Sequence, residues 1–182
     1  MMPPVTLRWH EFYNYTTNTK STNMTNQEER IDVLNDLVHI NNDRIEGYEK
    51  AIGLLKADNQ ELRPIFEQMV HESEAIKQEL VTAIRKHDGE ADGDATTEKG
   101  KIYRVWMDIR SAFSSDKEEN VLELCEYGED AAQKAYQEAL ESDDTQGADI
   151  RELIVRQKTQ LQNSHNTIRN LRDGAKANKS SL

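Results

Sequence analysis

CEYGEDAAQKAYQEAL, residues 125–140, is the stretch on which the fold turns. With Leu122 just before it, the stretch spaces Leu122, Cys125, Glu129, Ala132, Tyr136 and Ala139 at alternating steps of three and four. That rhythm keeps side chains on one face of an α-helix. Four members of the face are apolar or aromatic, one is a thiol, and one is a carboxylate. Gly128 stands beside Glu129, where glycine costs roughly 1 kcal/mol of helix stability relative to alanine. A small residue next to an inward acid predicts a close helix contact around a buried polar group. The pattern specifies architecture; it names no activity.

Three more helices carry the same rhythm. Upstream, Ile31, Leu34, Val38, Asn41, Ile45, Tyr48, Ile52 and Leu55 form a stripe with Asn41 as its one polar member, placed to fix register as buried amides do in coiled coils. Thr25 or Asn26 caps this helix, Glu28 and Glu29 follow in its first turn, and it stops near Lys56. Asp58 and Glu61 have capping-box spacing for the next helix. Pro64 conflicts with that cap, so the helix kinks there or begins later. Its stripe is Leu62, Phe66, Met69, Ser73, Ile76, Leu80, Ala83 and His87, broken by Ser73. The last helix follows residues 143–147 and turns Ile150, Ile154, Gln157, Leu161, Ser164, Ile168 and Leu171 inward, with a glycine stop near Asp173 and Gly174.

Between the second and third helices lies an acidic, glycine-containing linker from His87 to Gly100, which departs from the calcium-loop pattern. A short amphipathic helix over 101–113 follows, with Ile102, Val105, Trp106, Ile109 and Phe113 on one side. Short turns make the first and second helices antiparallel, and likewise the third and fourth. The long connection leaves the second and third parallel, so the expectation is an all-α four-helix bundle with one long crossover. The bundle spans 26–173, after a disordered extension over 1–25 and before a flexible tail over 174–182. Met24 is an alternative translation start to Met1.

Composition narrows the function classes. The chain has 182 residues with a net charge of -11, which disfavours nucleic acid and anionic membrane surfaces. A single cysteine excludes an intrachain disulfide and a cysteine zinc cluster. No apolar run approaches the roughly 20 residues that span a bilayer. The expectation is a soluble cytoplasmic protein, self-associating or bound to an unspecified protein partner. No phosphate-cradling glycine loop appears. Cys125 on an apolar stripe reads as a small buried hydrophobe, and Glu67 with His71 as a solvated pair.

Several segments together resemble a known group: VLNDL at 33–37, GYEKA at 47–51, WMDIR at 106–110, EYGED at 126–130, AYQEAL at 135–140 and RQKTQLQNSH at 156–165. Over about 27–173 the chain resembles an uncharacterised bacterial family of ferritin-like four-helix bundles, a domain of unknown function related to ferritins and rubrerythrins. The resemblance implies the ferritin-like bundle but no established activity, and through those wider relatives it raises a di-iron carboxylate centre. Such a centre needs an inward Glu from each of two helices and an inward E-x-x-H from each of the others. The corresponding inward positions here are Asn41, Ser73, Glu129, Gln157 and Ser164. His165 has Gln162 three residues before it, where Glu is required.

The reading is therefore a structural polar core of Asn41, Ser73, Glu129, Gln157 and Ser164, with Glu129 hydrogen-bonded by Asn41, Tyr48, Ser73, Gln157 or His165. No catalytic residue, cofactor or metal is assigned. The expected role is a non-enzymatic one, stress-associated by resemblance. The alternative is a divergent metal-binding protein or di-metal oxidase, with Glu129, His165 and Glu126 as ligands of iron or manganese.

Overall fold

The structure, a computed structural model, describes residues 26–55, 57–93, 118–142 and 147–180. The N-terminal extension, the expected crossover helix with Trp106, and the last two residues lie outside the described residues. Among those described are four α-helices: α1 Asn26–Leu54, α2 Arg63–Lys86, α3 Glu118–Glu141 and α4 Ala148–Ser180.

Glu28 and Glu29 sit in the first turn of α1, where negative charge complements the helix dipole. A 3-10 helix, Ala57–Leu62, replaces the expected capping box. α2 begins at Arg63, with Leu62 as an N-cap that makes no side-chain cap bond and Pro64 in the opening positions. The missing amide of proline is harmless there, because first-turn amides have no intrahelical partner. α2 closes in a Schellman pattern: Gly89 N–H donates to the Ile84 carbonyl at 2.9 Å and Asp88 N–H to the Arg85 carbonyl at 3.1 Å. Asp88 supplies the left-handed residue, with φ 57°.

α4 departs from the expected stop at Gly174 and continues to Ser180. Gly174 has no positive φ, Ala175 packs against the core, and Lys176 Nζ reaches Glu123 Oε1 at 2.7 Å. Those contacts outweigh the local helix penalty of one glycine.

Side-chain pairs set the topology. Asn41 meets Tyr136, and further along α1 Arg44 and Tyr48 meet Glu129, so α1 and α3 are antiparallel. Glu72 meets Ser164, Glu79 meets Gln157, and Lys86 meets Asp149, so α2 and α4 are antiparallel. With α1 and α2 joined by a short turn, α2 and α3 run parallel. This is the expected bundle with its long crossover.

The start of that crossover is more than a linker. Asn35 donates to the Glu90 carbonyl at 3.0 Å and accepts from the Asp92 amide at 2.9 Å. Asn42, two turns on, donates to the Gly93 carbonyl at 3.0 Å. The two asparagines strap the chain onto α1. A Cβ at Gly89 would lie 2.4 Å from Ile31 Cδ1, so any larger residue there would push the Ile31 side chain aside.

Candidate functional site

The apolar core is split in two. One cluster gathers around Leu34, Leu80, Ala132 and Leu161, the other around Tyr48, Phe66, Leu122 and Ile168. Between them, apolar side chains give way to Arg44, Ser73, Glu129 and Ser164, all buried. Each helix contributes one. Serine on α2 and α4, together with Ala132 on α3, leaves room for a guanidinium.

Arg44 fills that room and is 2% exposed. Its Nη2 donates to Glu129 Oε1 at 2.7 Å and to Glu72 Oε1 at 3.2 Å, and its Nε donates to Glu129 Oε1 at 3.3 Å. Its Nη1 donates to Ser73 Oγ at 2.7 Å. The Ser73 hydroxyl spends its own proton on the Met69 carbonyl at 2.8 Å, so it presents a lone pair to the arginine. The Tyr48 hydroxyl donates to Glu129 Oε1 at 2.6 Å, and the Ser164 hydroxyl to Glu72 Oε1 at 2.7 Å. One connected network thereby ties α1, α2, α3 and α4.

The electrostatics are those of a paired buried charge. Burial works against the Arg44 proton, but the Glu129 carboxylate, with Tyr48 and Glu72, more than offsets it and holds the guanidinium above its ordinary range. Burial first, and the Glu129 charge second, push the Tyr48 hydroxyl well up. Unpaired, either charge would cost several kcal/mol to bury. Glu129 Oε2 is buried with no hydrogen-bond partner among the described residues.

A second polar chain crosses the first cluster. Asn41 Nδ2 donates to the Leu37 carbonyl at 2.8 Å and to the Tyr136 hydroxyl at 3.0 Å. Tyr136 donates to Gln157 Oε1 at 3.0 Å, and Gln157 Nε2 to Glu79 Oε2 at 2.9 Å. Glu79 then meets solvent and Arg156. Burial would raise the Glu79 carboxyl, but the bonds from Gln157 and Arg156 prevail and lower it.

Asn41, Ser73, Glu129, Gln157 and Ser164 thus lie in the core, but in two networks. Of the partners expected for Glu129, only Tyr48 reaches it. Arg44, absent from the sequence reading, takes the central place. It stands three after Asn41 and four before Tyr48, a helical spacing as good as that of neighbouring Ile45. That spacing alone does not separate it from Ile45.

The metal-ligand candidates are separated. His165 Nε2 lies 2.7 Å from Asp130 Oδ1 and its Nδ1 3.4 Å from Gln162 Nε2. Glu126 is bound by Arg169 Nε at 3.3 Å and by Arg172 Nη1. Both belong to the α3–α4 seam, while Glu129 faces Arg44. No group of three or more His, Cys, Asp or Glu side chains is placed to hold a metal among the described residues. Burial, with help from Glu129, pushes the Cys125 thiol up and keeps it protonated. His71 is exposed and pairs with Glu74, while Glu67 faces Arg63, so Glu67 and His71 are not partners. A di-iron carboxylate centre does not fit this donor set, because the Arg44 guanidinium already stands between Glu129 and Glu72 and pairs with both.

The molecule is defined first by class: an all-α bundle with parallel α2 and α3, its core divided by a charged layer that reaches every helix. Residues 29–142 match the family described as Domain of unknown function (DUF2383), and the chain belongs to that family. The fold is ferritin-like. The chain is similar to a crystal structure of ferritin-like, diiron-carboxylate proteins from Bacillus anthracis str. Ames, with a TM-score of 0.59 and 17% identity over 81% of this chain and 96% of that one. At that identity the likeness shows the fold alone. No curated protein matches the chain. No described helix is long and apolar enough to cross a membrane.

Proposed function

We propose that this chain is a metal-independent, non-enzymatic ferritin-like bundle that acts by self-association or by binding a protein partner. The observation that supports it is the occupant of the core: Arg44 lies buried among the four helices, engaged by Glu129, Glu72 and Ser73. Redox chemistry at a carboxylate pair needs open coordination positions on a metal, and a guanidinium supplies none. A partner surface is offered by the open groove between α2 and α4, lined by Glu79, Lys86, Asp149 and Arg156 among others. The setting that goes with this reading is the cytoplasm, where the Cys125 thiol stays reduced. A stress-associated role belongs to the same proposal and rests on the family resemblance.

The test is metal analysis of protein purified without chelator, then addition of Fe(II) or Mn(II) under air with oxygen uptake followed. The expected outcome is substoichiometric metal, no oxygen consumption, and a sedimentation profile unchanged by EDTA. Stoichiometric iron or manganese in the wild type, lost in Glu129→Gln, overturns the proposal in favour of a divergent di-metal protein.

A further inference from the structure

We infer that the core of this bundle is a binding site for a planar guanidinium cation, which the chain fills with its own Arg44. The inference rests on the metal-independent reading above and adds the class of ligand that the site accepts. Its walls come from three helices besides the one that carries the ligand: Ser73 and Glu72 from α2, Glu129 from α3, and Ser164 from α4, which orients Glu72. The acceptors match a fork. Nη1 is met by a hydroxyl, Nη2 by two carboxylates, and Nε by one of them. The Tyr48 ring lies 6.0 Å from the guanidinium carbon, at the outer limit of cation–π attraction.

Two features separate this site from an ordinary acidic cluster. Ser73, Ala132 and Ser164 are small and buried, which makes space for a flat ion at the level where the apolar clusters part. Glu129 Oε1 accepts from Arg44 and Tyr48, while Oε2, equally buried, accepts nothing among the described residues. Arg44, tethered to α1, uses one oxygen of that carboxylate. A free guanidinium ion has no tether and can engage both in the bidentate geometry that guanidinium and carboxylate share. An ammonium lacks the planar fork, and a divalent cation finds two carboxylates and hydroxyls, short of the six or so ligands that hard cations take.

The experiment is chemical rescue. Arg44→Ala removes the internal ligand and leaves its walls in place. Millimolar guanidinium or methylguanidinium chloride is titrated against thermal unfolding, with sodium and methylammonium chloride at equal ionic strength as controls. The expected result is a saturable rise in Tm of roughly 3–10 °C at about ten to a hundred times Kd. Wild type, its site already filled, gains nothing. The double variant Arg44→Ala with Glu129→Gln loses the rescue. Should Arg44→Ala be unfolded alone, refolding from urea with guanidinium present restores helical circular dichroism. Absence of rescue by either readout overturns the inference, as does equal rescue by methylammonium. Stabilisation of Arg44→Ala by Mn(II) beyond that by guanidinium also overturns it and makes the core a masked metal site. None of these outcomes alters the metal content of wild type, on which the proposed function is tested separately.

Discussion

The two polar layers of the core solve the same problem at different cost. The neutral layer needs three side chains, Asn41, Tyr136 and Gln157, in a chain of bonds that drains to the surface at Glu79. The charged layer is enclosed, and it draws on every helix to pair Arg44, with Glu129 Oε2 still left without a partner among the described residues. The difference follows from solvation. A buried amide or hydroxyl loses one or two hydrogen bonds, whereas a buried ion loses a hydration shell. Neutral layers can therefore be assembled piecemeal, while a charged layer holds only as a whole.

The largest effects should come from cutting the charged layer. Arg44→Met leaves Glu129 and Glu72 facing each other without a cation, and Glu129→Gln weakens the only pairing that reaches Arg44 from α3. Each should cost about 3–5 kcal/mol, the usual price of stranding a buried charge. The neutral partners expected from sequence would have made Glu129→Gln a change of only about 1 kcal/mol. The double variant Arg44→Met with Glu129→Leu should recover much of the loss, since apolar replacement of a buried pair is often neutral. Urea melts of wild type, Arg44→Met, Glu129→Leu and this double variant close the cycle and give the coupling energy. Additive losses would show that the two layers differ in name only.

Cutting the neutral layer should cost less. Tyr136→Phe removes the hydroxyl that accepts from Asn41 and donates to Gln157, but Asn41 keeps its bond to Leu37 and Gln157 its bond to Glu79, so the loss should be about 1–3 kcal/mol. A loss equal to that of Arg44→Met in the same urea melts would break the comparison.

The two layers also differed in how visible they were in the sequence. Asn41 and Gln157 interrupt apolar stripes that are otherwise clear, and a polar residue at an inward position marks itself. The helices, the antiparallel pairs and the parallel α2 and α3 were legible for the same reason, because long stripes and short turns leave few alternatives. Arg44 was hidden. It and Ile45 fit the helical period equally well, and hydrophobicity assigns the inward place to isoleucine. Only the serines opposite, Ser73 and Ser164, hinted that something large had to fit between them. Glu72 was hidden too, since it flanks Ser73 and enters through a hydroxyl from another helix. The asparagine strap was invisible because its partners are backbone groups, which every residue carries.

That strap yields a smaller effect. Asn35→Ala removes a donor to the Glu90 carbonyl and an acceptor from the Asp92 amide, both part-buried. Water can replace much of what is lost, so the cost should be about 1 kcal/mol. The sharper readout is amide exchange at Asp92, which should speed up while the exchange of the α1 and α2 cores keeps pace with global stability. Unchanged exchange at Asp92 would mean that the strap is held by Asn42 without Asn35.

The smallest effect lies at the surface, where a charge pair can be compared with the buried one. Asp149 stands in the first turn of α4, and its carboxyl is lowered to about 2, first by the hydrogen bond from Lys86, against the opposing effect of desolvation, and then by the Ile150 amide, the Lys86 charge and His87. The helix N-terminus favours the same ionised form. An acid lowered on folding adds stability above its unfolded value, here 3.8, and loses that contribution as pH falls toward about 2. Stability profiles of wild type and Asp149→Asn should therefore run apart above pH 3.8 and converge below about 2. Screening keeps the gap small, and added salt should shrink it further. The Arg44–Glu129 pair, shut away from ions, should show no comparable salt dependence. The carboxyl carbon shift of Asp149, followed by NMR through this acid range, reads the midpoint directly. A midpoint near 3.8 would show that Lys86 does not hold Asp149 in solution.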